Sequence, residues 1–107
     1  MRPALLSDIE IQRELNSTLR GWTRRGPMLL KTYQFATFAE AIAWVNLVAI
    51  AAEAANHHPD LDIRFRQIGA ALATHESGGI TALDIEMAKR MDELAGGTEE
   101  PGPDRGA

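Results

Sequence analysis

Three times along this chain a Ser or Thr is followed three residues later by an acid: Ser7 and Glu10, Thr37 and Glu40, Thr81 and Asp84. Each pair is a helix-start signal, because the hydroxyl accepts an orphan backbone N–H while the acid reaches back and sits at the positive end of the helix dipole. Leu6 and Ile11 flank the first signal, and Ile80 and Ile85 the third, so both can be closed by a hydrophobic staple. Three helix starts spaced this way leave only two long stretches for anything else, and those stretches have to supply the surface that the helices cover.

The first helix is predicted over about Asp8 to Leu19, stopping before Gly21, with Ile11, Leu15 and Leu19 on one face. The second is predicted from Phe38 to Ala55. Phe38, Ile42, Val45, Ala49 and Ala52 form a stripe that Ala41, Trp44 and Val48 widen, and a face this broad predicts burial on more than one side. The third is predicted from Ala82 to Leu94, ending before Gly96-Gly97.

Between the helices the pattern changes to strands. Trp22 to Arg25, Gly26-Pro27, and Met28 to Phe35 read as a hairpin, with Leu29, Lys31, Tyr33 and Phe35 on one face and Leu30 and Thr32 on the other. Ile63 to Thr74 is also extended in character, but its apolar parity switches: Ile63 and Phe65 are odd, Ile68, Ala70 and Leu72 even. A period of two cannot survive that switch, so a bulge or break is expected near Arg66-Gln67. Helix, strand, strand, helix, strand or strands, helix is satisfied by an α+β domain, an antiparallel sheet with the helices packed on one face. The domain is predicted to span residues 1–95. The tail, 96–107, has four glycines, two prolines and no apolar periodicity, and is expected to be disordered.

The chain has 107 residues, no cysteine and a net charge of −4. Disulfides and thiolate metal sites are therefore excluded. Half of the net charge lies after Ala95, which leaves the body without the basic footprint of a nucleic-acid binder. The most apolar run, Ala41 to Ala52, contains Asn46 and is shorter than the roughly 20 residues of a membrane span. The N-terminal residues show no signal-peptide pattern, so a cytoplasmic protein free of membrane is expected.

All three histidines fall within nineteen residues, in Asn56-His57-His58-Pro59 and in Thr74-His75-Glu76. His57 and His58 end the second helix, since Pro59 disfavours α geometry at the residue before it. His75 follows an apolar strand and precedes Gly78-Gly79. Two element ends that carry imidazoles can converge on one pocket, and imidazole gives and takes protons near neutrality. Glu53, four residues before His57, can orient that ring or bind a substrate N–H. Plainer readings stand beside this one. A His pair at a helix end can cap carbonyls, three imidazoles can bind zinc, Glu53 can be a solvated face residue, and Asp84 can be no more than a capping acid.

At these residues the sequence resembles the pterin-4a-carbinolamine dehydratase family. The resemblance runs over about residues 5 to 95 and is carried by Glu53-Ala54-Ala55-Asn56-His57-His58-Pro59, Phe65, Thr74-His75, Gly79-Ile80-Thr81 and Asp84. It implies a four-stranded antiparallel sheet with three helices, assembled as a homodimer or homotetramer. It implies loss of water from 4a-hydroxytetrahydropterin to give quinonoid dihydropterin, recycling the cofactor of the aromatic amino acid hydroxylases, with no metal or cofactor of its own. His57 and His75 become the acid–base pair, their order open, and His58 a catalytic auxiliary. Glu53, Pro59 and Asp84 become substrate-binding or supporting residues. Leu61, Phe65 and Arg66 depart from the pattern, standing where tryptophan, tyrosine and asparagine are frequent. The family also includes partners of a transcription factor and assembly factors for the carbon-fixing carboxylase, so a non-catalytic interaction role is the alternative. Degenerate members tend to lose the histidines that this chain keeps.

Overall fold

A computed structural model describes residues 2–96. The segment expected to be disordered lies, from Gly97 on, outside the described residues. Seven elements follow one another: α1 (Asp8–Asn16), β1 (Thr23–Arg25), β2 (Met28–Gln34), α2 (Phe38–Ala55), β3 (Asp60–Arg64), β4 (Gln67–Leu72) and α3 (Ala82–Ala95), with a single 3₁₀ turn at His75–Ser77 before α3. The four strands form one antiparallel sheet in the order β1-β2-β4-β3. The α+β architecture expected from the element order is the one observed.

All three helix-start signals act as caps. Ser7 and Glu10 bond reciprocally, as do Thr81 and Asp84, while Thr37 accepts from the Glu40 N–H. The Ser7 backbone N–H, and then its side chain, hold the Glu10 carboxyl below the usual glutamate range. The first helix is shorter than predicted. Ser17 Oγ donates to the Arg13 carbonyl at 2.7 Å and the Leu19 N–H reaches the Glu14 carbonyl at 2.8 Å, so side-chain and backbone bonds compete with helix propagation at the Ser-Thr pair. Leu19 is nevertheless buried.

The β1–β2 turn holds Gly26 at φ +57° followed by Pro27, whose ring keeps φ negative. Positive then negative is the II′ sequence that suits the twist of a two-residue hairpin. The parity switch resolves as a second hairpin. Arg64 pairs with Gln67, and Phe65-Arg66 make the turn. Strand β3 starts at Asp60, earlier than expected. Its alternation of Asp60, Leu61, Asp62, Ile63 and Arg64 carries the period-two signal that the long extended reading passed over.

The register places Leu29, Tyr33, Ile68, Ala70 and Leu72 on one sheet face, all of them buried. Burying each of the larger side chains is worth about 1.5–3 kcal/mol. The helices cover that face. Trp44 of α2 lies 4.3 Å from Tyr33 and 5.3 Å from Phe35, ring centre to ring centre, and donates its indole N–H to the Met91 carbonyl of α3. In α2 the buried stripe is Ala41, Trp44, Val48 and Ala52, which corrects the expectation that Phe38, Ile42, Val45 and Ala49 lead it. Nor is α2 buried on more than one side within this chain. By length and composition alone it could cross a membrane, with a mean hydropathy of 1.5 over eighteen residues, yet only 22% of that window is buried. Phe38, Leu47 and Ile50 stay exposed.

Near the far end of α3, Asp92 gathers three donors from the β1–β2 side: the Trp22 indole N–H at 3.2 Å, the Lys31 ammonium at 2.9 Å and the Tyr33 hydroxyl. An acid in the last turn opposes the helix dipole, and these partners offset that cost. Sequence reasoning missed this staple, although an acid at a helix C-terminus was its visible trace. Asp92→Ala is expected to lower stability by about 2 kcal/mol in urea unfolding, since it removes the carboxylate shared by a part-buried ammonium and two neutral donors. A change under about 0.5 kcal/mol would show that the cluster is decorative.

Candidate active site

The first arm of the site is built by the end of α2. Asn56 takes the left-handed conformation at φ 50°, its N–H bonds the Glu53 carbonyl and the His57 N–H bonds the Ala52 carbonyl. This paired closure is a Schellman motif, and it turns His57 back over the last turn of the helix. Pro59 then keeps His58 extended. The second arm leaves β4 at Ala73. The Thr74 N–H bonds the Gly79 carbonyl at 2.9 Å, and the Thr74 carbonyl accepts from Ser77 and Gly78, so the loop carrying His75 is pinned at its root. Gly78 at φ +76° makes the return that an L side chain would strain.

Together the arms enclose a cavity of about 280 Å³ lined by Asn56, His57, His58, Thr74, His75 and Glu76, with Ala73. The three histidines are thus brought to one place from two separate chain ends. His57 and His75 come from opposite arms.

Behind His57 lies a buried polar cluster. His57 Nε2 is 2.7 Å from Asp84 Oδ1. The other Asp84 oxygen accepts from the Thr74 hydroxyl at 2.8 Å and from the Thr81 N–H at 2.9 Å. With Asp84 as a carboxylate, which only accepts, this contact calls for the proton on Nε2 of His57. Among the described residues no buried side-chain nitrogen or oxygen lacks a partner. Nδ1 of His57 has no described hydrogen-bond partner and is therefore not buried. One residue, Asp84, therefore closes the cap of α3 with one oxygen and grips an imidazole with the other.

The remaining predicted residues fall differently. Asp84 is wholly buried, is not on the cavity wall, and reaches the site through its bond to His57. Glu53 bonds His58 and not His57. The i, i+4 expectation assumed a continuing helix, whereas the left-handed Asn56 breaks the period one residue before His57. Both members of that pair are largely exposed. Pro59 shapes the chain but is not on the cavity wall. Phe65 lies at the opposite end of β4, in the hairpin turn, at φ 54° and 70% exposed, so it brings no ring to the site. Leu61 packs against the core beside the open face of the sheet, and Arg66 donates to the Phe35 carbonyl. Among the described residues no group of three His, Asp or Glu side chains is placed to hold a metal ion, so the donor geometry gives the zinc reading no support. Sequence reasoning missed the roles of Thr74 and Thr81 in the cluster. Their signals were the Thr before His75 and a capping box whose acid also faces a histidine.

An α+β scaffold with imidazoles on both arms of one small cleft, one of them backed by a buried carboxylate, sets side chains that can give and take protons around one small space. A family model described as pterin 4 alpha carbinolamine dehydratase matches residues 4–94. The chain belongs to the pterin 4 alpha carbinolamine dehydratase family. It is 50% identical over 91 residues to a Roseiflexus castenholzii protein that carries this dehydratase's name provisionally, covering 85% of this chain and 97% of the relative. It is similar to a crystal structure of a transcriptional coactivator/pterin dehydratase from Brucella melitensis, with a TM-score of 0.78 and 31% identity, covering 87% of this chain and 100% of that one. It also shares its fold with a pterin dehydratase-like protein identified as a RuBisCO assembly factor in the alpha-carboxysome, at a TM-score of 0.60 and 24% identity, covering 70% and 87%.

Proposed function

We propose that this protein removes water from 4a-hydroxytetrahydropterin, with His57 and His75 exchanging the protons. The observation that carries the reading is the convergence of His57, His58 and His75 on one cavity, with Asp84 behind His57. Dehydration protonates the 4a-hydroxyl, breaks the carbon–oxygen bond and removes a proton from a ring nitrogen. Water and quinonoid dihydropterin result. His57, with Nε2 bonded to Asp84 and Nδ1 accessible, is the base: the Asp84 carboxylate stabilises the imidazolium that forms. His75, from the other arm, is the acid. His58, paired with Glu53, binds the substrate or assists. Each proton transfer contributes on the order of 10²–10⁴-fold. The setting is the cytoplasmic recycling of tetrahydrobiopterin for aromatic amino acid hydroxylases.

The purified protein is expected to accelerate dehydration of freshly generated 4a-hydroxytetrahydropterin above the buffer rate. Equal rates with and without protein would remove the proposal.

The exposed side of α2 supports self-association. Leu47, Ile50 and Ala54 of α2 and Leu83 and Leu94 of α3 line an apolar groove of about 510 Å³ that also reaches His57. Contiguous apolar surface of this kind is usually covered by a partner. We propose that a second copy covers it, giving the homodimer or a homotetramer. Ile50→Glu is expected to convert a sedimenting oligomer to monomer at micromolar concentration, and a monomeric wild type would refute the assembly. The same groove favours the second reading, an interaction protein of the kind that the RuBisCO assembly factor represents. A stoichiometric co-purifying partner together with no pterin turnover would select it.

A further inference from the structure

We propose that the hydroxyls of Thr81 and Thr74 form a positioning relay that aims the Asp84 carboxylate at His57 and holds that imidazole as its Nε2–H tautomer. The inference deepens the dehydratase reading and rests on it only for its kinetic arm.

Proton accounting fixes the direction of the relay. Each threonine has one hydroxyl proton. Thr74 spends its proton on Asp84 Oδ2 at 2.8 Å, because the carboxylate can only accept. In the 2.7 Å contact between the two hydroxyls Thr81 is therefore the donor. The Thr81 oxygen in turn accepts from the Leu83 N–H at 3.2 Å. The chain runs one way: Leu83 N–H to Thr81, Thr81 to Thr74, Thr74 to Asp84. Donation along such a chain polarises each successive hydroxyl, and the effect is larger where water is excluded. Both threonines and Asp84 are buried.

A helix cap alone does not require this arrangement. Capping α3 needs the Thr81 hydroxyl on a first-turn N–H and an acid returning to the Thr81 N–H, and both are present without Thr74. Thr74 adds a third donor to Asp84 from the other arm of the cleft. With Oδ2 occupied by two donors, Oδ1 is turned to His57 at 2.7 Å. The backbone of Thr74 is itself tied to Gly79, and His75 is the next residue. The relay therefore links the tautomer of one imidazole to the placement of the loop that carries the other.

The test compares Thr74→Val, which keeps the β-branched volume and removes the hydroxyl, with Thr74→Ser, which keeps the hydroxyl. The ring nitrogens of His57 are read by nitrogen-15 NMR at pH 8, where an ordinary imidazole is neutral. Wild type and Thr74→Ser are expected to show a single Nε2–H form. Thr74→Val is expected to show a mixture with Nδ1–H, and about a tenfold lower kcat with KM changed less than twofold, the scale of one lost hydrogen bond to a charged group. A folded Thr74→Val that keeps the pure Nε2–H form overturns the proposal. So does a wild type whose His57 is already mixed, a measurement that stands even if the valine variant fails to fold. An inactive wild type with the expected tautomer pattern would discard the dehydratase reading and leave the relay intact.

Discussion

His75→Ala is expected to lower the dehydration rate by about 10²–10⁴-fold, the usual contribution of one general acid or base, while leaving the fold untouched. His75 is exposed and sits in a 3₁₀ turn whose root is held by the Thr74 and Gly79 backbones, not by the imidazole. Replacing an exposed side chain with no buried contact costs within about 0.5 kcal/mol. The measurement is kcat in the dehydration assay beside the unfolding midpoint in urea. A variant as active as wild type removes His75 from the chemistry. A variant that loses both activity and stability shows instead that the imidazole holds the loop.

Asp84→Ala is expected to have the largest effect on stability, about 3–5 kcal/mol in urea unfolding. The carboxylate is fully buried and accepts from His57, the Thr74 hydroxyl and the Thr81 N–H. Alanine leaves all three donors buried without a partner and removes the cap acid of α3, each a recognised large penalty. A domain of this size holds only about 5–15 kcal/mol in total, so most of its margin goes. Asp84→Asn separates packing from protonation. Its oxygen can still serve Thr74 and Thr81, but its amide then faces His57 and forces the ring to the other tautomer, as an Asp-to-Asn change does in a catalytic triad. Asparagine is therefore expected to cost about 1–2 kcal/mol yet most of the activity. If alanine costs under about 1 kcal/mol, the cluster is not a structural keystone. If asparagine keeps full activity, His57 does not depend on its tautomer.

The difference between those two variants marks how far the sequence could be read. The three helix starts were legible because a cap involves residues three apart, and the apolar periodicity of each helix confirmed its element. The first hairpin was legible from Gly26-Pro27, while the parity switch before Ile68 marked only a break, which the structure resolves as a second hairpin. The histidines stood out because His57, His58 and His75 end elements, and the resemblance turned that into a family. Where reading failed, a local period had been extended past a point at which the backbone changed. The i, i+4 link from Glu53 to His57 ended at the left-handed Asn56, and the α1 repeat ended at Ser17.

Local chemistry alone therefore decided the helices, their starts, the first hairpin and the identity of the imidazoles, because each rests on interactions spanning a few residues of one segment. Tertiary structure decided the strand order β1-β2-β4-β3, the approach of the arm that carries His75 to the one that carries His57, and the second use of Asp84. Those depend on contacts between separate segments, such as Gln34 with Gln67 and His57 with Asp84, and no period or cap within a segment records which distant surface it will meet.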